Sequence, residues 1–291
     1  MIRVATRASR LARWQAERVG ALIGSDVEYV LVTTTGDRDQ VSDLHAIGGA
    51  GVFTKEVQQA VLDGRADVAV HSAKDLPPVT PTGLSLAAIP ERGDVRDALV
   101  GCRMAELPTG ACIGTGSVRR RAQLAAARPD LTFGPLRGNI ETRLRKRTEV
   151  GYDAVIVAYA ALERLGLGAE ATDVLEPRVL LPQVGQGALA VECRADDART
   201  AARLRAIDNV AARRTVQAER AFLATLGGGC DLPCGALATL TADGTIVLDA
   251  LLASLDGHVL VRTCVEGDDP GAVGRQASDE LRRAFPEEIA S

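Results

Sequence analysis

Aromatic residues are scarce in this chain: four phenylalanines, three tyrosines and one tryptophan make up 3% of 291 residues. That excludes the aromatic platforms on which single-stranded nucleic acid is stacked. Histidine is rarer still (His45, His71 and His258), and none of the six cysteines, Cys102, Cys112, Cys193, Cys230, Cys234 and Cys264, forms a C-x-x-C pair. Cys230 and Cys234 have no neighbouring histidine to complete a zinc site, so no metal is expected. A basic balance is also missing. With a net charge of −4, anion binding has to come from local clustering, and nucleic acid is not an expected partner. No apolar run approaches the roughly 18–20 residues of a membrane span, and the first residues, MIRVATRAS, lack the apolar core of a secretion signal. The expectation is a cytoplasmic protein without a disulfide framework and without a membrane partner.

What is present is an ordinary globular composition, 46% hydrophobic and 25% charged, long enough for two or three domains. Strand and helix signals alternate. Ile2–Ala5 reads as a strand and Arg10–Ile23 as a helix with Leu11, Trp14 or Gln15, Arg18 or Val19, and Leu22 near one face. Val27–Thr33 is a β-branched strand. Thr54 stands where a helix N-cap belongs, before a run in which Phe53, Val57, Ala60 and Val61 share a side. Asp67–Val70 is a strand that ends at HSAKD (71–75). A second alternating block follows: Cys112–Ile113 before GTGS and a helix from Val118, Leu131–Phe133 before RGN and a helix, then strand Ala154–Val157. Residues 182–194 read as a glycine-rich crossing and a strand that returns to the first block. A helical stretch covers 197–226, and strands at 235–241, 245–254 and 258–266 precede a helix from Pro270 to Phe285.

The chemistry-bearing residues gather at strand-to-helix junctions, where open α/β sheets keep their binding groups. GTGSVRRRAQ places Ser117, Arg119, Arg120 and Arg121 at a helix N-terminus, where free N–H groups attract anions but three arginines are locally unfavourable. Arg7 and Ser9 follow the first strand. Lys55 opens a helix, Lys74 and Asp75 end a strand, and Arg137 and Arg143 flank a turn. Together these suit a ligand with several carboxylates or phosphates. Neither a Walker motif nor a G-x-G-x-x-G after a strand is present, which disfavours nucleotides. The segment GGGCDLPCG (227–235) puts Cys230 on a glycine-rich loop open to close approach.

The ordered set ATRAS, GVFTKE, DVAVHSAKDLP, GTGSVRR, LRGNIETRL, VGQGALAVECR and AERAFL…GGGCDLPCG resembles the porphobilinogen deaminase family from residue 5 to about 238. The resemblance implies an enzyme that joins four porphobilinogen molecules head to tail, with loss of ammonia, on a dipyrromethane primer held by a thioether to Cys230. It implies a monomer of three domains. Two are periplasmic-binding-protein-like (type II) α/β domains around a cleft, residues 1–91 with 188–205 and residues 92–187. The third, 206–291, is a small α+β domain that carries the cysteine loop. Carried over by motif, Asp75 would be the catalytic carboxylate, bonding pyrrole N–H groups and stabilising the positive charge that forms as ammonia departs. Arg7, Ser9, Arg119, Arg120 and Arg143 would hold incoming substrate and the terminal ring. Lys74, Ser117, Arg137 and Lys55 would hold cofactor or chain carboxylates. Gln15, Phe53, Gly138 and Gln186 complete the binding set, although Gln15 and Phe53 equally suit plain packing. Two departures stand out: Ala50 replaces a lysine common in relatives, and Cys234 replaces an aliphatic residue and is a second thiol near the attachment point.

Two other readings use the same residues. A non-catalytic anion-binding protein explains the arginines and leaves Cys230 and Asp75 without work. A cysteine acyl transferase or hydrolase needs a histidine base near Cys230, with His71 the candidate.

Overall fold

A computed structural model describes residues 1–24, 26–38, 51–227 and 232–286. Cys230 and Ala50 lie outside them. The chain opens with β1 (Ile2–Arg7), α1 (Arg10–Ile23), β2 (Val27–Val32), α2 (Thr35–Arg38), α3 (Lys55–Leu62), β3 (Val68–Ser72) and β4 (Leu84–Ala88). It continues with β5 (Asp97–Val100), β6 (Cys112–Gly114), α4 (Val118–Ala127), β7 (Thr132–Gly134), α5 (Ile140–Val150), β8 (Ala154–Ala158), α6 (Tyr159–Arg164) and β9 (Asp173–Leu175). Then come β10 (Leu189–Arg194), α7 (Ala198–Leu204), α8 (Val210–Leu226), β11 (Cys234–Leu240), β12 (Ile246–Ala253), β13 (Leu260–Gly267) and α9 (Pro270–Ala284).

These elements form two compact units: residues 1–93 with 187–214, and 94–186 with the chain from 215 onward. The sheet of the first unit has the order β2-β1-β3-β10-β4, and one sheet of the second has the order β7-β6-β8-β5-β9. The two orders are the same pattern. In each, the first three strands are mutually parallel, and the fourth place goes to an antiparallel strand, β10 or β5, that follows directly on a chain crossing. Both are α/β, as the fold-class expectation has it, and the returning strand read at 182–194 is β10. Strands β4, β5 and β9 carry no strong signal of their own. β9 is three residues long and β5 four, too short for alternation to be legible.

Small residues bring α1 onto its sheet. Its buried face is Ala12, Gln15, Ala16, Val19 and Gly20, whereas Leu22 is 38% exposed. Gln15 and Val19 lie on the face expected from sequence, but Leu11 and Leu22 do not; the helix turns its small side chains inward in their place, which lets the backbones approach closely. The helical stretch at 197–226 breaks at Asp208 and Asn209, where Asn209 Oδ1 accepts from Ala212 N at 2.9 Å.

The small antiparallel sheet β11-β12-β13, covered by α9, forms its own core with Phe222, Leu248 and Leu281. It also shares a core with the second unit's α/β part, in which Ala122 of α4 and Leu181 pack on Leu237, Leu251 and Ala253. Of the segment expected as a third domain (206–291), residues up to 214 group with the first unit and those from 215 onward with residues 94–186.

Candidate active site

The first unit gathers its polar groups at the carboxyl ends of its parallel strands. Arg7 is the last residue of β1, and Ser9 caps α1, accepting from Ala12 N at 3.3 Å. The Arg7 guanidinium lies 4.3 Å from the Phe53 ring centroid and pairs with Asp37, whose two oxygens are 3.2 and 3.1 Å from Arg7 Nε. Gln15 is 3% exposed, and its Nε2 donates to Ser72 Oγ at 2.8 Å, tying α1 to the end of β3. A single 3-10 turn, Ala73–Asp75, follows β3 and presents Asp75, half-buried.

Arg7, Ser9, Gln15, Phe53, His71, Ser72 and Asp75 line one cavity of about 50 Å³, a notch with room for one or two waters. Among the described residues nothing bonds to the Asp75 carboxylate. A larger cavity of about 520 Å³ opens at the amino end of β1, between Ile2, Asp67, Arg194 and Arg203, and includes none of the residues singled out by sequence. Arg7, Ser9, Gln15, Phe53 and Asp75, all singled out by sequence, line the smaller one. Lys55 is exposed on the first turn of α3, and Lys74 is half-buried beside Asp75; neither lines the notch. Thr54 stands at the start of α3 but makes no side-chain cap.

In the second unit Ser117 caps α4, accepting from Arg120 N at 3.4 Å. The arginines after it do not form a solvated basic row. Arg119 and Arg120 are 3% and 6% exposed, and each gives an Nη2 donor to Asp97 at 2.7 Å. Their Nη1 atoms donate to Leu181 O at 2.6 Å and Ile156 O at 3.0 Å. Gln186, fully buried, adds a third donor to Asp97 at 2.9 Å. Burial alone would raise the Asp97 pKa, but the two guanidiniums outweigh it and hold the carboxyl well below the usual carboxylate range. Two guanidiniums on one carboxylate leave a net positive charge, and neither Arg119 Nε nor Arg120 Nε has a partner among the described residues.

Arg137 precedes Gly138, whose φ of +117° lies in the left-handed region and where a Cβ would stand 2.6 Å from Thr142 Cγ2. That turn lets Asn139 cap α5, and Arg143 Nε donates back to Gly138 O at 2.8 Å. Arg121 is exposed and stays outside these contacts.

Sequence reasoning missed Asp37 and Asp97. Asp97 carries a faint signal, a carboxylate opening the apolar run DALV. Asp37, in a four-residue helix, carries none. Cys234 is 6% exposed within the apolar core that holds Phe222 and Leu252.

Each α/β unit places guanidinium groups where a strand hands over to a helix, Arg7 in the first and Arg119 and Arg120, buried on Asp97, in the second, an arrangement of the anion-binding class. A family model for the porphobilinogen deaminase dipyromethane cofactor binding domain matches residues 2–202, and one for the porphobilinogen deaminase C-terminal domain matches residues 213–283. Porphobilinogen deaminase of Acidothermus cellulolyticus is 49% identical over 99% of this chain and 91% of its own length. That of a Roseiflexus species is 48% identical over 96% of this chain and 94% of its own. The chain belongs to the porphobilinogen deaminase family. It is a transferase of tetrapyrrole biosynthesis with a dipyrromethane cofactor, joining four porphobilinogen molecules head to tail with loss of ammonia and releasing hydroxymethylbilane. Among solved structures, a TRAP periplasmic solute binding protein from Desulfovibrio salexigens matches with a TM-score of 0.42 and 9% identity over 73% of this chain and 72% of that one.

Proposed function

We propose that Asp75 is the catalytic carboxylate and that Cys230 carries the cofactor through a thioether. The observation that carries the first assignment is the Asp75 carboxylate, lining a notch with Arg7, Ser9 and Gln15 and bonded to nothing among the described residues. A carboxylate so placed is free to accept pyrrole N–H groups and to stabilise the positive charge that develops as the C–N bond of porphobilinogen breaks. Arg7 and Ser9 then bind the acetate and propionate of the incoming molecule, with Gln15 and Phe53 fixing the walls.

The second unit suits the cofactor's carboxylates. The Asp97 cluster is one negative charge short, and two buried Nε–H donors await an acceptor. Arg119 and Arg120 are the residues that would hold a carboxylate there, with Ser117, Arg137, Gly138 and Arg143 on the neighbouring helix starts; Lys55 and Lys74 are the further cations that the first unit offers to a chain carboxylate. Gln186 acts one step removed, by bonding Asp97. When bound, the dipyrromethane supplies the pyrrole carbon to which the next unit is joined. The protein works as a cytoplasmic monomer on a small-molecule substrate, without a nucleic-acid or membrane partner. Among the described residues, no helix is long and apolar enough to cross a membrane.

The test is an intact mass of the purified protein beside its Cys230→Ser variant. A mass excess of two linked pyrroles, present in the parent and absent in the variant, is expected. A parent at bare polypeptide mass that gains no adduct on incubation with porphobilinogen overturns the attachment.

A further inference from the structure

The first unit holds a second polar set that the site above does not use. His71 on β3 and Glu192 on β10 lie on adjacent antiparallel strands, with Ala190 opposite His71 and Ala69 opposite Glu192. His71 Nε2 is 3.3 Å from Glu192 Oε2, and Gln58 Nε2 of α3 donates to the same oxygen at 2.8 Å. The two side chains are 3% and 0% exposed. Neither His71 Nε2 nor Glu192 Oε1 makes an aligned hydrogen bond among the described residues. The arginines on the flanking strands are committed elsewhere: Arg3 to Asp67, Arg7 to Asp37 and Arg194 to Asp197.

Stability does not account for this arrangement. A carboxylate taken wholly out of water loses its hydration, and apolar replacements of such buried pairs are often neutral or stabilising. The strands around it are otherwise Val68, Ala69, Val70, Ala190 and Val191, so an apolar pair would have continued the core. Of the three residues only His71 reaches the notch that holds Asp75; Glu192 and Gln58 do not line it. His71 also begins the run that ends at Asp75, four residues on, through the last residue of β3 and one 3-10 turn.

We infer that Glu192, held by Gln58, is a positioning residue that acts through His71 on the notch in which Asp75 stands. Glu192 Oε2, 3.3 Å from Nε2, stands against one edge of the ring and limits the orientations in which His71 can meet the notch. The inference rests on the reading that substrate reacts beside Asp75.

The test uses the cofactor-loaded enzyme and the variants Glu192→Gln, His71→Gln, their double variant and Asp75→Asn. Glu192→Gln is expected to carry the primer mass and to melt within about 2 °C of the parent or above it. Its kcat falls about tenfold while KM stays within about twofold. His71→Gln behaves alike, and the double variant is no slower than the slower single, because the two act as one unit. Parent kcat in Glu192→Gln, a loss that tracks a fall in Tm, or additive losses each overturn the inference. Should Glu192→Gln fail to fold, Gln58→Ala removes only the donor; a folded Gln58→Ala enzyme is expected to lose kcat at constant KM, and parent kcat there overturns the inference as well. An active Asp75→Asn enzyme removes the reading of the notch. An inactive one beside a fully active Glu192→Gln removes only the role of Glu192.

Discussion

Asp37 holds Arg7 by a charge-assisted fork in which both carboxylate oxygens lie within 3.2 Å of Arg7 Nε. Thr34 Oγ1 donates to the same carboxylate at 2.8 Å, so the acid that aims the arginine is itself held. Burial works to raise the Asp37 pKa, but the bond and charge of Arg7, with Thr34, bring it below the ordinary value. Asp37→Asn keeps the shape and removes the charge. Porphobilinogen KM is expected to rise about tenfold, equivalent to about 1.4 kcal/mol, with a smaller change in kcat. Steady-state kinetics checks this, and an unchanged KM would detach Arg7 from substrate binding.

Asp75→Asn tests the catalytic assignment. The amide is isosteric, and no bond to the Asp75 carboxylate is lost among the described residues, so Tm should stay within about 2 °C of the parent. What disappears is the negative charge facing the developing cation, and kcat is expected to fall at least about a hundredfold. Single-turnover measurement of ammonia release is the direct readout; near-parent release would remove Asp75 from the mechanism.

The Asp97 cluster predicts a second unit that loses stability in acid, but only below about pH 4. A carboxyl whose folded pKa lies below its unfolded value of about 3.9 contributes stability that is fully present above that value. The contribution is lost only as pH falls toward the folded pKa, here well below the usual range. Melts at pH 7 and 5 should show no loss from this group, and the loss begins below about pH 4. Asp97→Ala leaves two buried guanidiniums without their carboxylate and is expected to cost about 3–5 kcal/mol. A Tm drop of roughly 10 °C by calorimetry would confirm it.

The two aspartates also mark where the sequence stops being informative. Helix starts, strand ends and glycine turns are local, and the junctions bearing Arg7, Ser9, Ser117, Arg137 and Asp75 were legible from a few residues each. Asp37 and Asp97 matter because of arginines 30 and 22 or 23 positions away in the chain, and no local period encodes that. The same limit hid the fate of Arg119 and Arg120. Three arginines at a helix start read as a site for an external anion, and their pairing with a buried carboxylate on another strand is not legible there. The inward face of α1 is legible in part: Gln15 and Val19 lie on it, whereas Leu11 and Leu22 give way to Ala12, Ala16 and Gly20, which allow close approach to the sheet.

Gly235 offers a test of what the docking of β11 contributes. It is the second residue of β11, and its φ is not in the left-handed region, so space alone demands glycine here. A Cβ would stand 2.9 Å from both Leu181 O and Pro182 O. Neither carbonyl is free to move away: Leu181 O accepts from Arg119 Nη1 and Gln123 Nε2, at 2.6 and 3.1 Å, and Pro182 O accepts from Ala236 N at 3.1 Å. Gly235→Ala must therefore push β11 off residues 181–182 or loosen the Arg119 contact. Overpacking of this kind costs about 1–3 kcal/mol. Because β11 begins four residues after Cys230 in the chain, the fraction of protein with the primer mass should fall along with Tm. A variant that melts lower yet loads fully would mean that the docking of β11 serves stability alone.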